Sequence, residues 1–504
     1  MHKKLIIYSP FAVWDPHFET DLELAQIYVN DGYEVTFLCC MGDLPSCAPN
    51  PFHYFEKCWR CRSRFNSGMD WLNKTEIDVQ GFYNLTDEQK QSVKELREYE
   101  YQNIEDVKNV SIDNADIGMA ALSSVVSILR EPYPDFNDNL DIIRKNIEAS
   151  AVVYYSLYNH LREYKPDIFI MLNGRFSALR PALRAAQALG IESYIHERAA
   201  VTGRYSFVRN SYVHDLNQIK EEILTVWNES RDSEQVKNKI AREWFRERLQ
   251  GVEQAGVSYE KRNIKNKLPA SFDSEKINIG VFISSEDEYV AVEDWNNPHY
   301  KDQNDGILKL LSDIYDDNRF VIYIRVHPNL SSMDNSQTRG LHVISQLHPA
   351  VNIIKANDDI SSYALVKNCT FVITYGSTIG IEAVYLDKPS ILMGRTEYED
   401  LGGCIRPDTH MELIKILKEY ADTNHLPSVR SGDIAISMFG YYMKCKGVKF
   451  KYVREYSFRK VSMLRSGKKT FIRPNIVVFC AAYFILSARI IHQKITALFS
   501  NKTV

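Results

Sequence analysis

Apolar residues recur along this chain in two alternating rhythms. Short unbroken runs rich in β-branched and aromatic residues occur at 5–9, 33–38, 166–172, 191–195, 277–283, 320–328, 351–354, 370–374 and 388–393. Runs of this length and composition read as buried strands of parallel sheet. Between them, 20–28, 115–129, 146–164, 175–189 and 305–315 carry apolar residues at helical spacing, while 86–106 and 217–253 read as charged, solvated helix. Strand and helix in alternation predict an α/β protein of two doubly wound, Rossmann-like domains facing a cleft. The pattern divides into two domains, 1–265 and 266–440. The linker falls at about 259–275, and 441–504 forms a basic and apolar C-terminal tail.

Polar residues gather where the strands end, the rim at which open α/β sheets bind ligands. After 370–374 comes Tyr375-Gly-Ser-Thr-Ile-Gly-Ile-Glu-Ala383, a strand, a tight turn at Gly376, then a helix. Free amides and partial positive charge at a helix start suit phosphate. The Ser377 and Thr378 hydroxyls can join them, and Glu382 lies where a ribose would be met. An ordinary N-capped joint has the same pattern. Arg325 and His327 share one face at the end of the strand stopped by Pro328, and both suit a nucleotide phosphate. Ser284 and Ser285 follow the 277–283 strand and can bind phosphate. Glu288 can bond a sugar, and Tyr398 can stack on a base or sugar.

The first half offers a long polar loop, 11–19, at its first strand end. His17, Glu19 and Asp15 are its candidates for general base. Alternatively, Glu19 only favours a helix start and Asp15-Pro16 only turns the chain. Asn173, Arg175, Glu197 and Arg198 are candidate cleft residues, with a loop-ordering Arg175–Glu197 salt bridge as the alternative. Five of the nine cysteines crowd into 39–61, a stretch read as loop. Cys40, Cys47, Cys58 and Cys61 are a candidate tetrahedral site for structural zinc; separate buried thiols are the alternative.

At 504 residues, 45% hydrophobic and 25% charged, the chain has ordinary globular composition. A net charge of −4 argues against general nucleic-acid binding. No secretory signal opens the sequence, so a cytoplasmic setting with reduced thiols is expected. No Asp-x-Asp pair stands where a metal-diphosphate site would need it, so catalysis without a metal is expected. Lys and Arg crowd 444–473 against a single acid, Glu455, and an apolar run follows at 476–486. That run is short of the ~20 residues a span needs. It predicts either contact with the anionic inner face of the cytoplasmic membrane or a helix docked on the first domain.

Arg325-x-His327-Pro328 followed by Ser377-Thr-x-Gly-x-Glu-Ala383 resembles the donor half of bacterial surface-polysaccharide glycosyltransferases of the two-domain GT-B type, in particular the capsular and Kdo transferase-like group. The likeness spans 277–403. More loosely, Trp14-x-Pro-His-x-Glu19, Asn173-Gly-Arg175 and Glu197-Arg198 stand where that group has similar residues. The resemblance implies a CMP-, UDP- or GDP-linked sugar donor and a surface-glycan or lipid-linked acceptor. Similar motifs also occur in CDP-glycerol-type glycerophosphotransferases and nucleotide-sugar epimerases. A non-catalytic carbohydrate- or nucleotide-binding scaffold is a further alternative.

Overall fold

The computed structural model describes residues 3–72, 77–254, 263–292, 295–427, 429, 432–457 and 460–500, with side chains as far as 491. The first part of the predicted linker, 259–262, lies outside the described residues.

The first sheet has seven strands, in the order Val448–Lys449, Arg204–Arg209, Ser193–Arg198, Ile168–Leu172, Lys4–Ser9, Glu34–Cys39 and Ile77–Gly81. The last five in that order are parallel, and the other two pair antiparallel at one edge. Leu5, Ile7, Phe37, Phe169 and Ile170 are fully buried, as strands covered on both faces require. The second sheet is wholly parallel, in the order Ser390–Leu392, Phe371–Thr374, Ile277–Phe282, Phe320–Arg325 and Asn352–Ile354. In each sheet the chain reverses its direction of growth beside the first strand laid down. Those reversals, Lys4–Ser9 against Ile168–Leu172 and Ile277–Phe282 against Phe371–Thr374, are where such sheets open a crevice.

Three parts differ from the sequence-based expectation. The helices Leu216–Glu229 and Glu234–Leu249 pack with the second domain: Ile219, Ile223, Trp244 and Phe245 share a core with Ile381, Val384 and Phe439. Packing therefore puts the junction before residue 216, not at 265. The stretch around Cys58 and Cys61 is no loop but the helix Phe55–Trp71, whose Phe65 and Met69 face the first core.

The C-terminal residues are also no free tail. Helix Gly432–Cys445 packs on Glu234–Leu249, Val448–Lys449 joins the first sheet, and Val453–Ser457, Lys460–Arg465 and Lys468–Thr470 form a small antiparallel sheet. Phe450, Val453, Val461 and Met463 share a core with Phe18 and Leu22 of the first domain. The fully buried Glu23 fixes the junction, accepting bonds from the Lys451, Tyr452 and Val453 amides at 2.7–2.8 Å. The final helix, Ile476–Ser500, lies along Phe55–Trp71, with Arg489 paired to Glu56 at 3.0 Å. No helix among the described residues is long and apolar enough to cross a membrane.

Candidate functional site

The switch point of the second sheet opens into a cavity of about 350 Å³. Seven of the predicted donor residues line it: Ser284, Ser285, Glu288, His327, Ser377, Thr378 and Tyr398. The turn is stitched by Thr374, whose Oγ1 donates to Phe282 O at 3.0 Å and accepts from the Ser377 amide at 3.0 Å. Gly376 N also reaches it, at 3.4 Å. These two amides are therefore occupied. Ser377 Oγ accepts from Ile379 N at 3.3 Å, which leaves its own proton to donate. Gly394 permits the arrangement: a Cβ there would stand 1.9 Å from Tyr375 O.

Two predicted donor ligands do not line this cavity. Arg325 is 3% exposed, and its guanidinium donates to Lys355 O, Asp358 O and Ser362 Oγ. A buried guanidinium must satisfy its donors, and here carbonyls of the 355–358 loop do so. Glu382 is likewise buried, held by Arg248 and by the Tyr363 hydroxyl. It ties its helix to Glu234–Leu249 instead of facing a ribose. Tyr398 lines the groove but is buried against Phe439, with its hydroxyl donated to Ser377 O, so it anchors the turn and has no open stacking face. His327 lies in the groove as a neutral imidazole. Burial first, then Arg325 and Arg130, lower its pKa to about 4, and its Nδ1 accepts from Asn329 N. Among the described lining residues there is no Lys or Arg. Ser285 donates to Asp287, and Glu288 accepts from Asn329 at 2.6 Å.

The first-domain candidates separate. His17 opens the helix His17–Asn30 with Nε2 3.4 Å from Glu197 Oε1, and its Nδ1 has no hydrogen-bond partner among the described residues. Burial lowers its pKa, against the pull of Glu197, so the ring is neutral near pH 7. Glu197 in turn accepts from Asn173 Nδ2 at 2.8 Å. Glu19 and Asp15 point elsewhere, both onto Arg64, which makes them packing residues of the Phe55–Trp71 helix and not the base. Burial raises Glu19 to about 7 even so. Arg175 makes no Glu197 salt bridge; it bonds Ser123 Oγ at 2.6 Å and crosses the cleft to the Asp287 and Glu288 carbonyls. Arg198 reaches Asp15 O and Glu455.

The four cysteines share the lining of one cavity, of about 300 Å³. Among the described residues no group of three or more His, Cys, Asp or Glu is arranged to hold a metal ion. Each of three thiols has its own donor instead: Gly42 N for Cys40, Asn50 Nδ2 for Cys58 and Ala12 N for Cys61. Burial raises all four thiol pKa values, the opposite of what ready thiolate ligands need. The residues as placed do not fit zinc.

Among the groove residues that sequence reasoning missed are His214 and Glu397. His214 lines the cavity from the first-domain side, its pKa lowered to about 4 chiefly by burial, while the Glu197 carboxylate acts on it through space. It thus bridges the groove and the His17–Glu197 pair. Glu397 lines the same cavity, raised by burial. Both sit on irregular loops, without periodicity or motif to mark them.

No curated protein matches the chain. Among solved structures, the KpsC β-Kdo 2,4 transferase of Thermosulfurimonas dismutans aligns with 62% of this chain and 86% of its own, at 12% identity and a TM-score of 0.34. Its β-Kdo 2,7 transferase counterpart covers 66% and 89%, at 13% identity and a TM-score of 0.35. The UDP-GlcNAc 2-epimerase of Neisseria meningitidis covers 89% and 95%, at 11% identity and a TM-score of 0.29. Likenesses this distant carry no argument about activity. The sequence profile is more direct: residues 235–425, which hold the Arg-x-His-Pro and Ser-Thr-x-Gly-x-Glu-Ala motifs, match the family of capsule polysaccharide biosynthesis proteins.

Proposed function

We propose that the protein is a GT-B glycosyltransferase of capsule polysaccharide synthesis, taking a sugar from a nucleotide-activated donor to a surface-glycan or lipid-linked acceptor. The observation that carries this reading is the meeting of two switch-point crevices. A hydroxyl-lined groove ends the second sheet, a neutral His17 backed by Glu197 ends the first, and His214 stands between them. In this reading His17 removes the acceptor hydroxyl proton, and Glu197 steadies the imidazolium that forms. Ser284, Ser377 and Thr378 meet the charge that develops on the departing phosphate. Transfer then needs no divalent cation, and EDTA leaves the rate unchanged.

The donor is found with a thermal-shift panel of CMP, UDP, GDP and CDP with their sugars, on wild type and on the Ser377→Ala/Thr378→Ala double variant. Stabilisation grows with ligand concentration over Kd. One nucleotide should stand out and lose its effect in the variant. An equal response from both proteins removes the groove assignment.

We also place the enzyme at the inner face of the cytoplasmic membrane. The final helix turns Ile476, Val477, Tyr483 and Phe484 outward, each at least 63% exposed, beside exposed Phe55 and Trp59. The basic strands 460–470 lie in the same C-terminal region. Co-sedimentation with anionic liposomes, lost on deleting 475–504, tests this placement.

A further inference from the structure

A second cavity, of about 370 Å³, lies against the groove and shares Tyr289 and Trp295 with it. Its walls come from both domains. Met119, Leu122 and Val126 of the helix Ile117–Leu129 face the 286–303 segment of the second domain. Two adjoining stretches divide their residues between the spaces: Ser284 and Gly376 line the groove, while Glu286 and Tyr375 line the cavity.

The polar groups there are unusual. Glu286 is 3% exposed; its Oε1 accepts from Gln303 N at 2.8 Å, and its Oε2 has no hydrogen-bond partner among the described residues. The Tyr375 hydroxyl, on a residue 2% exposed, also has none. Buried polar atoms are ordinarily paired, so two orphans lining one space call for a ligand that bonds both.

We infer that this interdomain cavity receives the nucleobase of the activated donor, its faces held by the apolar walls and its polar edge met by Glu286 and Tyr375. The inference rests on the donor reading of the groove and adds where the base lies. An alkyl chain would leave both polar atoms unsatisfied, and a free phosphate would face a carboxyl. A flat heterocycle carries the needed combination of apolar faces and a donor–acceptor edge. Burial lifts the Glu286 carboxyl to about 8, so near pH 7 it offers an O–H as well as an accepting oxygen. Because helix Ile117–Leu129 supplies one wall, the base is gripped only when the two domains are together.

Full-length protein is titrated by calorimetry with CMP, UMP, GMP, AMP and, as the base-free probe, ribose 5-phosphate. Wild type, Tyr375→Phe, which removes only the orphaned hydroxyl, and Val126→Trp, which fills the cavity from the first domain, are compared. Wild type should prefer one nucleotide over ribose 5-phosphate by roughly tenfold or more. Each variant should erase most of that preference and leave ribose 5-phosphate binding unchanged. A preference kept in both variants overturns the base site alone. A wild type that binds no nucleotide overturns the donor reading and this inference with it. If Val126→Trp does not show a cooperative melt, Tyr375→Phe decides.

Discussion

His17 and Glu19 sit two residues apart at one helix start, yet the fold gives them opposite work. The His17 ring turns to Glu197, whereas Glu19 turns inward to Arg64. His17→Ala should therefore lower kcat by roughly 10²–10⁴-fold, the usual share of a positioned base. Steady-state sugar-transfer assays check this. With the His17 pKa below its ordinary 6.5, the wild-type rate should rise with pH only below about 6.5 and be flat through neutrality. Stability follows a similar direction. His214 and His327 are held neutral with pKa values near 4, so the unfolded chain takes up protons first as pH falls. Their contribution is complete above pH 6.5 and is lost between 6.5 and 4; His327→Asn should flatten part of that loss in melts run across the range. Gly394 gives the sharpest steric test. Gly394→Ala drives a methyl into the Tyr375 carbonyl, and a loss of about 1–3 kcal/mol by urea unfolding is expected, together with weaker nucleotide binding.

Among the elements, the long apolar strands were legible in the sequence. Runs such as 168–172 and 370–374 have no polar alternation, and a strand buried on both faces needs none. The direction of a charged side chain at a strand end was not legible. Arg325 looks the same in sequence whether it faces a ligand or the carbonyls of residues 355–358. Glu382 likewise carries no mark of Arg248, its partner 134 positions away. The strands 453–470 were hidden for another reason. Their surface is so rich in Lys and Arg that composition suggested a membrane-facing tail, whereas their buried apolar residues are few: Val453, Val461 and Met463. What seats them is Glu23 and its three amide bonds. Glu23→Ala should cost roughly 3 kcal/mol, since it strands buried amides. Limited proteolysis should then cut within 451–470 well before the rest of the chain.

At the scale of the molecule, the cleft is held by contacts that cross it. Arg175 reaches two carbonyls of the second domain, Arg130 pairs with Asp287 at 3.0 Å, and Trp295 Nε1 donates to His214 O at 2.8 Å. Arg175→Lys keeps the charge but not the fork of donors. It should raise KM for the donor several-fold with a smaller change in kcat, as read from initial rates at varied donor. The expected pair of doubly wound domains followed from the alternation of elements. The path between the halves did not, because the apolar positions of 216–249 are equally suited to either sheet.

That path has a mechanical result. The chain passes from the first half to the second before residue 216 and comes back after 445, so two separate peptide links join them. A body hung on two pins swings about the line through them and resists swivelling. Opening and shutting of the enzyme should be one hinge-like rotation, and a gene split before residue 216 would leave the first fragment without Phe450, Val453, Val461 and Met463 of its own interior.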